Sequence, residues 1–185
     1  MEFQRLEIPE VIKITPRKFI DSRGYFMETF QQRKFSEFVG REVVFVQENQ
    51  SLSHPAATVR GLHFQRPPHV QGKLVRCGRG SIIDVAVDAR SSSLTYGHYV
   101  SAELTAENGC QLWVPEGFLH GFATLEPYTE VQYKCTKYYA PDCEGSIVWN
   151  DPHLDIDWGV RSKDAVLSDK DKVALHFDDF QTPFT

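Results

Sequence analysis

Two titratable side chains, His63 and Lys73, lie in short segments with apolar flanks on either side of a Pro-Pro sequence. Such segments are typical of neighbouring strands, so we expect both side chains to point into one cavity. A histidine can take a proton from carbon at neutral pH, and a nearby ammonium can stabilise an oxygen that gains negative charge. The pair therefore predicts proton abstraction next to a carbonyl group.

The composition limits the kind of protein that could hold this pair. The chain has 185 residues, of which 41% are hydrophobic and 24% charged, as expected for a single soluble globular domain. A formal net charge of -5 argues against polymeric nucleic acid as a partner but permits a local basic pocket for a phosphorylated small molecule. Because no segment is long and apolar enough to span a bilayer, we also expect no membrane partner.

Residues 1–5 lack the pattern of a signal peptide. The cysteines are scattered and show no CxxC spacing, which indicates reduced thiols rather than disulfides or a zinc site. They are Cys77, Cys110, Cys135 and Cys143. These features predict a cytoplasmic protein.

Short segments of alternating polarity, separated by Gly and Pro turns, indicate an all-β fold. Strands are predicted over 11–15, 25–30, 43–49, 58–65, 73–77, 81–88, 98–104, 111–114, 121–125 and 130–139, with one short helix over 31–40. Many short strands of this kind predict a jelly-roll sandwich or barrel. We expect one domain over 1–185, with residues 164–185 as a tail that packs back on the barrel.

Alternation also assigns the faces of the strand that contains His63. His63 and Gln65 share one face, and Leu62 and Phe64 share the other. Burial of an unpaired His63 or Asp84 would be costly, so a polar interior predicts a ligand cavity in the barrel mouth. The alternative is that the polar face is solvated and the Leu62 and Phe64 face forms the core.

The motif Pro115-x-Gly117-x-x-His120 turns the chain and presents His120 from the next strand. It resembles the second motif of the cupin superfamily, whose histidine commonly binds a metal. The first cupin motif would need His-x-His followed by Glu, whereas this chain has His63-Phe64-Gln65 and then Lys73. Because an ammonium repels a divalent cation and glutamine is a poor transition-metal ligand, the sequence predicts a cupin that has lost its metal.

An ordered set of motifs gives a closer resemblance. The motifs are Asp21-x-Arg23-Gly24-x-Phe26-x-Glu28, Gln47-x-Asn49, Arg60-Gly61-Leu62-His63-Phe64-Gln65, Gln71-Gly72-Lys73-Leu74-Val75, Pro115-x-Gly117-x-x-His120-Gly121-Phe122, Tyr133-x-x-Thr136-x-Tyr138-Tyr139 and Trp149-x-Asp151-Pro152. Over about residues 5 to 172 the chain resembles the dTDP-4-dehydrorhamnose 3,5-epimerase family. The resemblance implies a jelly-roll cupin fold, an isomerase of dTDP-rhamnose biosynthesis without a metal or other cofactor, and a homodimer.

The resemblance also implies four catalytic residues. His63 matches the general base that removes the proton next to the C4 ketone, and Lys73 matches the cation beside the C4 oxygen. Tyr133 matches the acid that returns a proton from the opposite face, a role that suits a phenol because it keeps its proton at neutral pH. Asp171 matches the carboxylate that orients His63, and the nearby Asp169 stays open as an alternative.

The matched substrate-binding positions hold the nucleotide diphosphate and the sugar. They are Arg23, Glu28, Gln47, Asn49, Arg60, His120, Tyr139, Glu144 and Lys170. Arg23 and Arg60 would supply bidentate donors to a diphosphate, and Tyr139 would stack on the thymine ring. The resemblance implies that part of this site, around Arg23 and Gln47, comes from the partner subunit.

We therefore expect an epimerase that inverts C3 and C5 of a dTDP-4-dehydro-6-deoxyhexose through enolate intermediates. The same residues also serve relatives that invert one centre alone, so the number of inversions stays open. A non-catalytic sugar-nucleotide-binding cupin and a metal-dependent cupin are the competing interpretations. The set of His63, Lys73 and Tyr133 argues against the first, and the altered first cupin motif argues against the second.

Overall fold

Thirteen short strands and one α-helix form in the structure, a computed structural model that describes residues 1–185. The strands are β1 (Glu2–Arg5), β2 (Ile12–Thr15), β3 (Lys18–Asp21), β4 (Gly24–Met27), β5 (Gln47–Ser53), β6 (Val59–Gln65), β7 (Lys73–Arg79), β8 (Ser81–Asp88), β9 (Tyr99–Thr105), β10 (Gln111–Val114), β11 (Phe118–Thr124), β12 (Thr129–Cys135) and β13 (Glu144–Ser146). The α-helix is α1 (Gln32–Val39), and 3₁₀ helices span Pro141–Cys143, Ser162–Asp164, Asp171–Val173 and Phe177–Asp179.

Two antiparallel sheets face each other across a hydrophobic core. The six-stranded sheet has the order β1-β2-β10-β7-β12-β5, and the five-stranded sheet has the order β13-β6-β11-β8-β9. Val75 and Leu112 from the first sheet pack with Ile82, Leu104 and other side chains from the second. The expected all-β jelly roll of cupin type is confirmed, and alternation along each strand aims one row of side chains at this core.

The outer face of the five-stranded sheet is covered as well. Leu62 and Phe64 on β6 belong to a second cluster that includes Phe180 and Phe184 from the C-terminal segment. The Phe64 and Phe180 ring centroids lie 5.1 Å apart. Since Leu62 and Phe64 pack under this segment, His63 between them faces the other sheet.

The helix α1 covers the outer face of the six-stranded sheet. The Gln31 side chain caps its first turn by accepting from the Lys34 N–H at 2.7 Å, and Gly40 ends it in the left-handed region at φ 85°. Phe35 is fully buried against Trp113. The helix predicted over 31–40 is confirmed, and none of the helices is long and apolar enough to cross a membrane.

Several predicted strand bounds were wrong. Residues 43–46 are not in a strand; β5 begins at Gln47 and continues past the predicted end to Ser53, because it pairs with β12 along its whole length. β12 in turn ends at Cys135, well before the predicted end at Tyr139. The sequence also did not predict the short strands β1, β3 and β13, which have three or four residues each.

The hairpin of β3 and β4 forms a sheet of its own. Its apolar side chains are largely exposed: Phe19 is 52%, Ile20 81% and Phe26 71% accessible. Arg23 lies in its turn and pairs with Asp21 at 2.7 Å. This exposed apolar hairpin contrasts with the buried faces of both large sheets.

Substitution of a buried and of an exposed leucine should affect stability differently. Leu112 is fully buried between the sheets, so Leu112→Ala should lower the free energy of unfolding by about 2–5 kcal/mol through lost burial and a cavity. Leu94 is fully exposed, so Leu94→Ala should change it little. Urea unfolding at one fixed protein concentration measures both, and equal effects would contradict this packing.

Candidate active site

A cavity of about 350 Å³ opens between the two sheets at one end of the core. Both sheets and the C-terminal segment supply its walls. The lining residues are Ser51, Thr58, Val59, Arg60, His63, Lys73, His120, Phe122, Tyr133, Val166, Leu167, Ser168, Lys170 and Asp171. The expectation that His63 and Lys73 share one cavity is confirmed.

His63, on β6, forms a close pair with Asp171 from the 3₁₀ helix Asp171–Val173. The His63 Nε2 lies 2.6 Å from the Asp171 Oδ1, and the Asp171 side chain is only 3% exposed. Although burial disfavours the carboxylate, the hydrogen bond and charge of His63 lower the pKa of Asp171 below its ordinary value. A carboxylate can only accept, so Nε2 carries the proton and Nδ1 is left to act as a base.

Asp169, the alternative partner, lies elsewhere. Its side chain is fully exposed and binds Lys172 at 2.8 Å. Of the two carboxylates, the structure therefore brings Asp171 to His63.

Tyr133 reaches the same cavity from the opposite sheet. It lies on β12, where it is paired in register with Asn49 on β5 and Val75 on β7. Burial raises the pKa of its phenol, and the Cys135 thiol acts in the same direction. Tyr133 therefore stays protonated at neutral pH and could donate that proton to a bound molecule.

Lys73 begins β7 beside Cys135 of β12. Its ammonium forms no hydrogen bond or salt bridge with the rest of the chain. Burial lowers the pKa of Lys73, and the charge of Lys170 lowers it further, whereas Asp84 and Glu144 act in the opposite direction. A half-buried cation without a direct partner is suited to stabilising an anion that forms in the cavity.

His120 on β11 lies directly opposite His63 on β6. Its Nε2 donates to the buried Asp84 Oδ1 at 2.8 Å, and burial lowers the pKa of His120 despite the charge of Asp84. The Asp84 Oδ2 has no hydrogen-bond partner. The cavity is thus lined by two histidines of the five-stranded sheet, and each of them is paired with a carboxylate.

A smaller cavity of about 100 Å³ adjoins the first and shares His63, Lys73 and Tyr133 with it. Gln47 and Asn49 from β5 line it together with Tyr139 and Glu144. The Gln47 Oε1 accepts from the Tyr139 N–H at 2.9 Å, and Glu144 accepts from the Tyr139 hydroxyl at 2.9 Å and pairs with Lys170.

The predicted binding residues therefore fall into two groups. Gln47, Asn49, Arg60, His120, Tyr139, Glu144 and Lys170 line one or both of these cavities. Arg23 and Glu28 line neither, since Arg23 lies on the exposed hairpin and Glu28 pairs with Lys34 at 3.0 Å. Gln47 lines the smaller cavity of its own chain. The expectation that the partner subunit supplies the part of the site around Arg23 and Gln47 stays a prediction.

Two residues of the site had no role assigned from the sequence. The sequence indicated that Asp84 would need a partner if it were buried, but it did not identify His120 as that partner. Ser168 was missed, although Ser168-Asp169-Lys170-Asp171 has the spacing of a helix-capping motif that would have indicated a turn before Asp171.

Gln65, at a position where the first cupin motif has a metal-binding histidine, binds the protein backbone in this structure. The Gln65 amide donates to the His69 carbonyl at 2.7 Å and accepts from the Ala140 N–H at 2.7 Å, so it holds two backbone segments. The structure contains no cluster of three His, Cys, Asp or Glu side chains arranged to hold a metal ion.

The site geometry combines a base with its orienting carboxylate, a cation without a direct partner and a protonated phenol on the facing wall. The model of the dTDP-4-dehydrorhamnose 3,5-epimerase family matches residues 5–179. A dTDP-4-dehydrorhamnose 3,5-epimerase of Salmonella typhimurium is 52% identical over 167 residues, which cover 90% of each chain. The chain belongs to this epimerase family.

Solved structures of dTDP-4-dehydrorhamnose 3,5-epimerase family members agree with the fold. An epimerase from Legionella pneumophila, solved in complex with dTDP-4-keto-L-rhamnose, superposes with a TM-score of 0.94 at 40% identity and covers 100% of this chain and 98% of its own. A 3′-monoepimerase from Streptomyces bikiniensis, in complex with dTDP-quinovose, gives a TM-score of 0.85 at 31% identity over 92% of this chain and 85% of its own. The protein is therefore an isomerase of the epimerase class.

The buried pair of His63 and Asp171 predicts a pH-dependent contribution to stability. In Asp171→Asn one amide group cannot accept from both His63 and Ser168, so the free energy of unfolding should fall by about 1–3 kcal/mol at neutral pH. Because the pKa of Asp171 is lowered in the folded state, this difference should be complete above about pH 4 and should shrink as the pH falls through the folded-state pKa.

Asp169→Asn is the matched control, and it should change stability little because this carboxylate is fully exposed. Urea unfolding between pH 3 and pH 7 measures both variants. A difference for Asp171→Asn that does not shrink below pH 4 would contradict the lowered pKa.

Proposed function

We propose that this protein inverts C3 and C5 of a dTDP-4-dehydro-6-deoxyhexose by removing a proton from one face of the sugar and returning one to the other. The observation that carries this proposal is the placement of His63 and Tyr133 on opposite sheets of one cavity. Inversion at a carbon next to a ketone requires a base and an acid on opposite faces of a planar enolate.

In the proposed first step, the His63 Nδ1 takes the proton from the carbon next to the C4 ketone. The pair with Asp171 supports this role, because the carboxylate holds the proton on Nε2 and stabilises the imidazolium that forms. The electron pair of the broken C–H bond moves onto the C4 oxygen and gives an enolate.

Lys73 then stabilises the enolate oxygen. Its ammonium has no direct anionic partner in the chain, so the C4 oxygen would become that partner as negative charge develops. His120, held by Asp84, lines the same cavity and is proposed to contact the sugar.

Tyr133 completes the inversion by giving its phenolic proton to the opposite face of the enolate. The raised pKa of its phenol keeps it protonated until the enolate forms. Proton exchange with solvent then returns His63 and Tyr133 to their starting states.

The nucleotide is proposed to lie along the adjoining cavity. Arg60 is an exposed cation beside the catalytic residues and suits a diphosphate, and Tyr139 presents a 55% exposed ring on which thymine could stack. Glu144 holds both Tyr139 and Lys170, which fixes these groups before the substrate binds.

Inversion of both centres is supported by the relatives that share half of the sequence. Besides the Salmonella enzyme, a 3,5-epimerase from Sinorhizobium fredii is 53% identical over 171 residues, covering 92% of this chain and 87% of its own. The 3′-monoepimerase is more distant, at 31% identity. Inversion of C3 or C5 alone is the second candidate function.

A homodimer is part of the proposal. The hairpin of β3 and β4 exposes Phe19, Ile20 and Phe26, and it carries Arg23 outside the cavities of its own chain. Packing of this hairpin on a second copy would bury the apolar side chains and could bring Arg23 to the partner's substrate. The cytoplasmic location expected from the sequence stays a prediction.

Incubation with dTDP-4-dehydro-6-deoxyglucose in deuterated water tests the reaction. We expect NMR to show deuterium at C3 and C5 of a product whose configuration is inverted at both carbons. The reason is that each inverted carbon must take up a proton that exchanges with solvent. Label at one carbon would select a mono-epimerase, and label at neither would reject epimerase activity on this substrate. His63→Ala should abolish exchange, whereas the exposed His98→Ala should not.

Tyr133→Phe tests the acid separately. Inversion should slow by about 10²- to 10⁴-fold, while some exchange continues because His63 can return a deuteron to the face from which it took the proton. Tyr128→Phe, at a 54% exposed position outside the cavities, is the matched control. Inversion by Tyr133→Phe at the wild-type rate would remove Tyr133 from the mechanism.

Mixing two inactive variants tests the shared site. If Arg23 acts in the partner's cavity, His63→Ala and Arg23→Ala subunits should together regain about one quarter of the wild-type sites after random exchange into dimers. Each heterodimer then contains one cavity with an intact His63 and a partner's intact Arg23. Mixtures that stay inactive, although native mass spectrometry of differently tagged subunits shows mixed dimers, would contradict the shared site.

A further inference from the structure

Both oxygens of the Asp171 carboxylate are bound, and each has a different partner. Oδ1 accepts from the His63 Nε2 at 2.6 Å, and Oδ2 accepts from the Ser168 hydroxyl at 2.8 Å. These are the hydrogen bonds that the structure gives to this carboxylate. Its orientation therefore depends on Ser168 as much as on His63.

Ser168 also fixes the backbone at Asp171. Its Oγ accepts from the Asp171 N–H at 3.2 Å, and its carbonyl accepts from the Lys172 N–H at 3.2 Å. One side chain thus holds the turn and the carboxylate that the turn presents, in the manner of a capping motif.

We propose that Ser168 is a positioning residue that keeps the Asp171 carboxylate aligned with the His63 imidazole. This inference rests on the proposed function of His63 as the base. Without the Ser168 hydroxyl, the carboxylate can rotate about its last bond, and the His63 Nε2 proton loses its aligned acceptor. The imidazole then spends less time with Nδ1 presented as the base, although every group that contacts substrate is still present.

Kinetics of Ser168→Ala test the proposal. Loss of a hydrogen bond to a charged group should lower kcat by about 10- to 100-fold, while KM changes little because the substrate-binding groups are intact. Ser168→Thr keeps the hydroxyl and should restore most of the rate. Ser162→Ala is the matched control, since Ser162 begins another 3₁₀ helix of the same segment and is exposed.

A double mutant separates positioning from general weakening of the fold. In an Asp171→Asn background, Ser168→Ala should cost far less activity than it does in the wild type, because the group that it positions is gone. The proposal would be overturned if Ser168→Ala lowered kcat by the same factor in the wild type and in Asp171→Asn, or if the Ser168→Ala enzyme kept the wild-type kcat.

Proton NMR of the free protein gives a readout that needs no turnover. The His63 N–H that donates to Asp171 should give a downfield resonance, identified by its loss in His63→Ala. It should broaden or disappear in Ser168→Ala and persist in Ser168→Thr. If the resonance is absent from the wild-type spectrum, or unchanged in Ser168→Ala, the inference about Ser168 is overturned, whether or not the protein has epimerase activity. If the wild-type protein exchanges no substrate protons with solvent, only the proposed reaction is rejected.

Discussion

The hydrogen bond between His63 and Asp171 joins two residues that are 108 positions apart, and the site depends on it. A carboxylate that is 2% exposed is unfavourable unless its oxygens are bound, so Asp171 can be buried only where His63 and Ser168 meet it. Packing of Phe180 and Phe184 on the outer face of the five-stranded sheet brings the C-terminal segment to that place. The hydrophobic contacts bury the C-terminal segment against the sheet, and the hydrogen bond fixes the position of Asp171 relative to His63.

The two-sheet architecture places side chains on two opposite walls of one cavity, which a single sheet could not do. A carbon next to a ketone must lose its proton from one face and, as the enolate, gain a proton on the other face if its configuration is to change, and groups on one wall reach one face. In this fold His63 projects from β6 and Tyr133 from β12, which belong to different sheets. Lys73 lies on the strand next to Tyr133, so these two side chains share a wall and His63 faces them, as the proposed reaction requires.

Much of this arrangement could be predicted from local patterns. The alternation in β6 put His63 and Gln65 on one face and left open which face is inward, and short strands with Gly and Pro turns indicated the jelly roll. Asp171 and Asp169 could not be separated by periodicity, because the C-terminal segment has none; what separates them is burial beside His63 against exposure beside Lys172. The proposed action of Arg23 in a partner's cavity depends on a second subunit, and the alternation pattern of one chain does not contain that information.

The carboxylates around the cavity bind other side chains rather than Lys73. Asp171 is paired with His63, Asp84 with His120 through its Oδ1, and Glu144 with Lys170. If one of them bound Lys73 directly, it would compete with the enolate oxygen for the ammonium. A ketone is neutral and an enolate is charged, so in the proposed reaction an unpaired Lys73 would stabilise the enolate more than the bound substrate. Burial of this cation destabilises the resting protein, and the same burial strengthens its attraction for the charge that appears during the reaction.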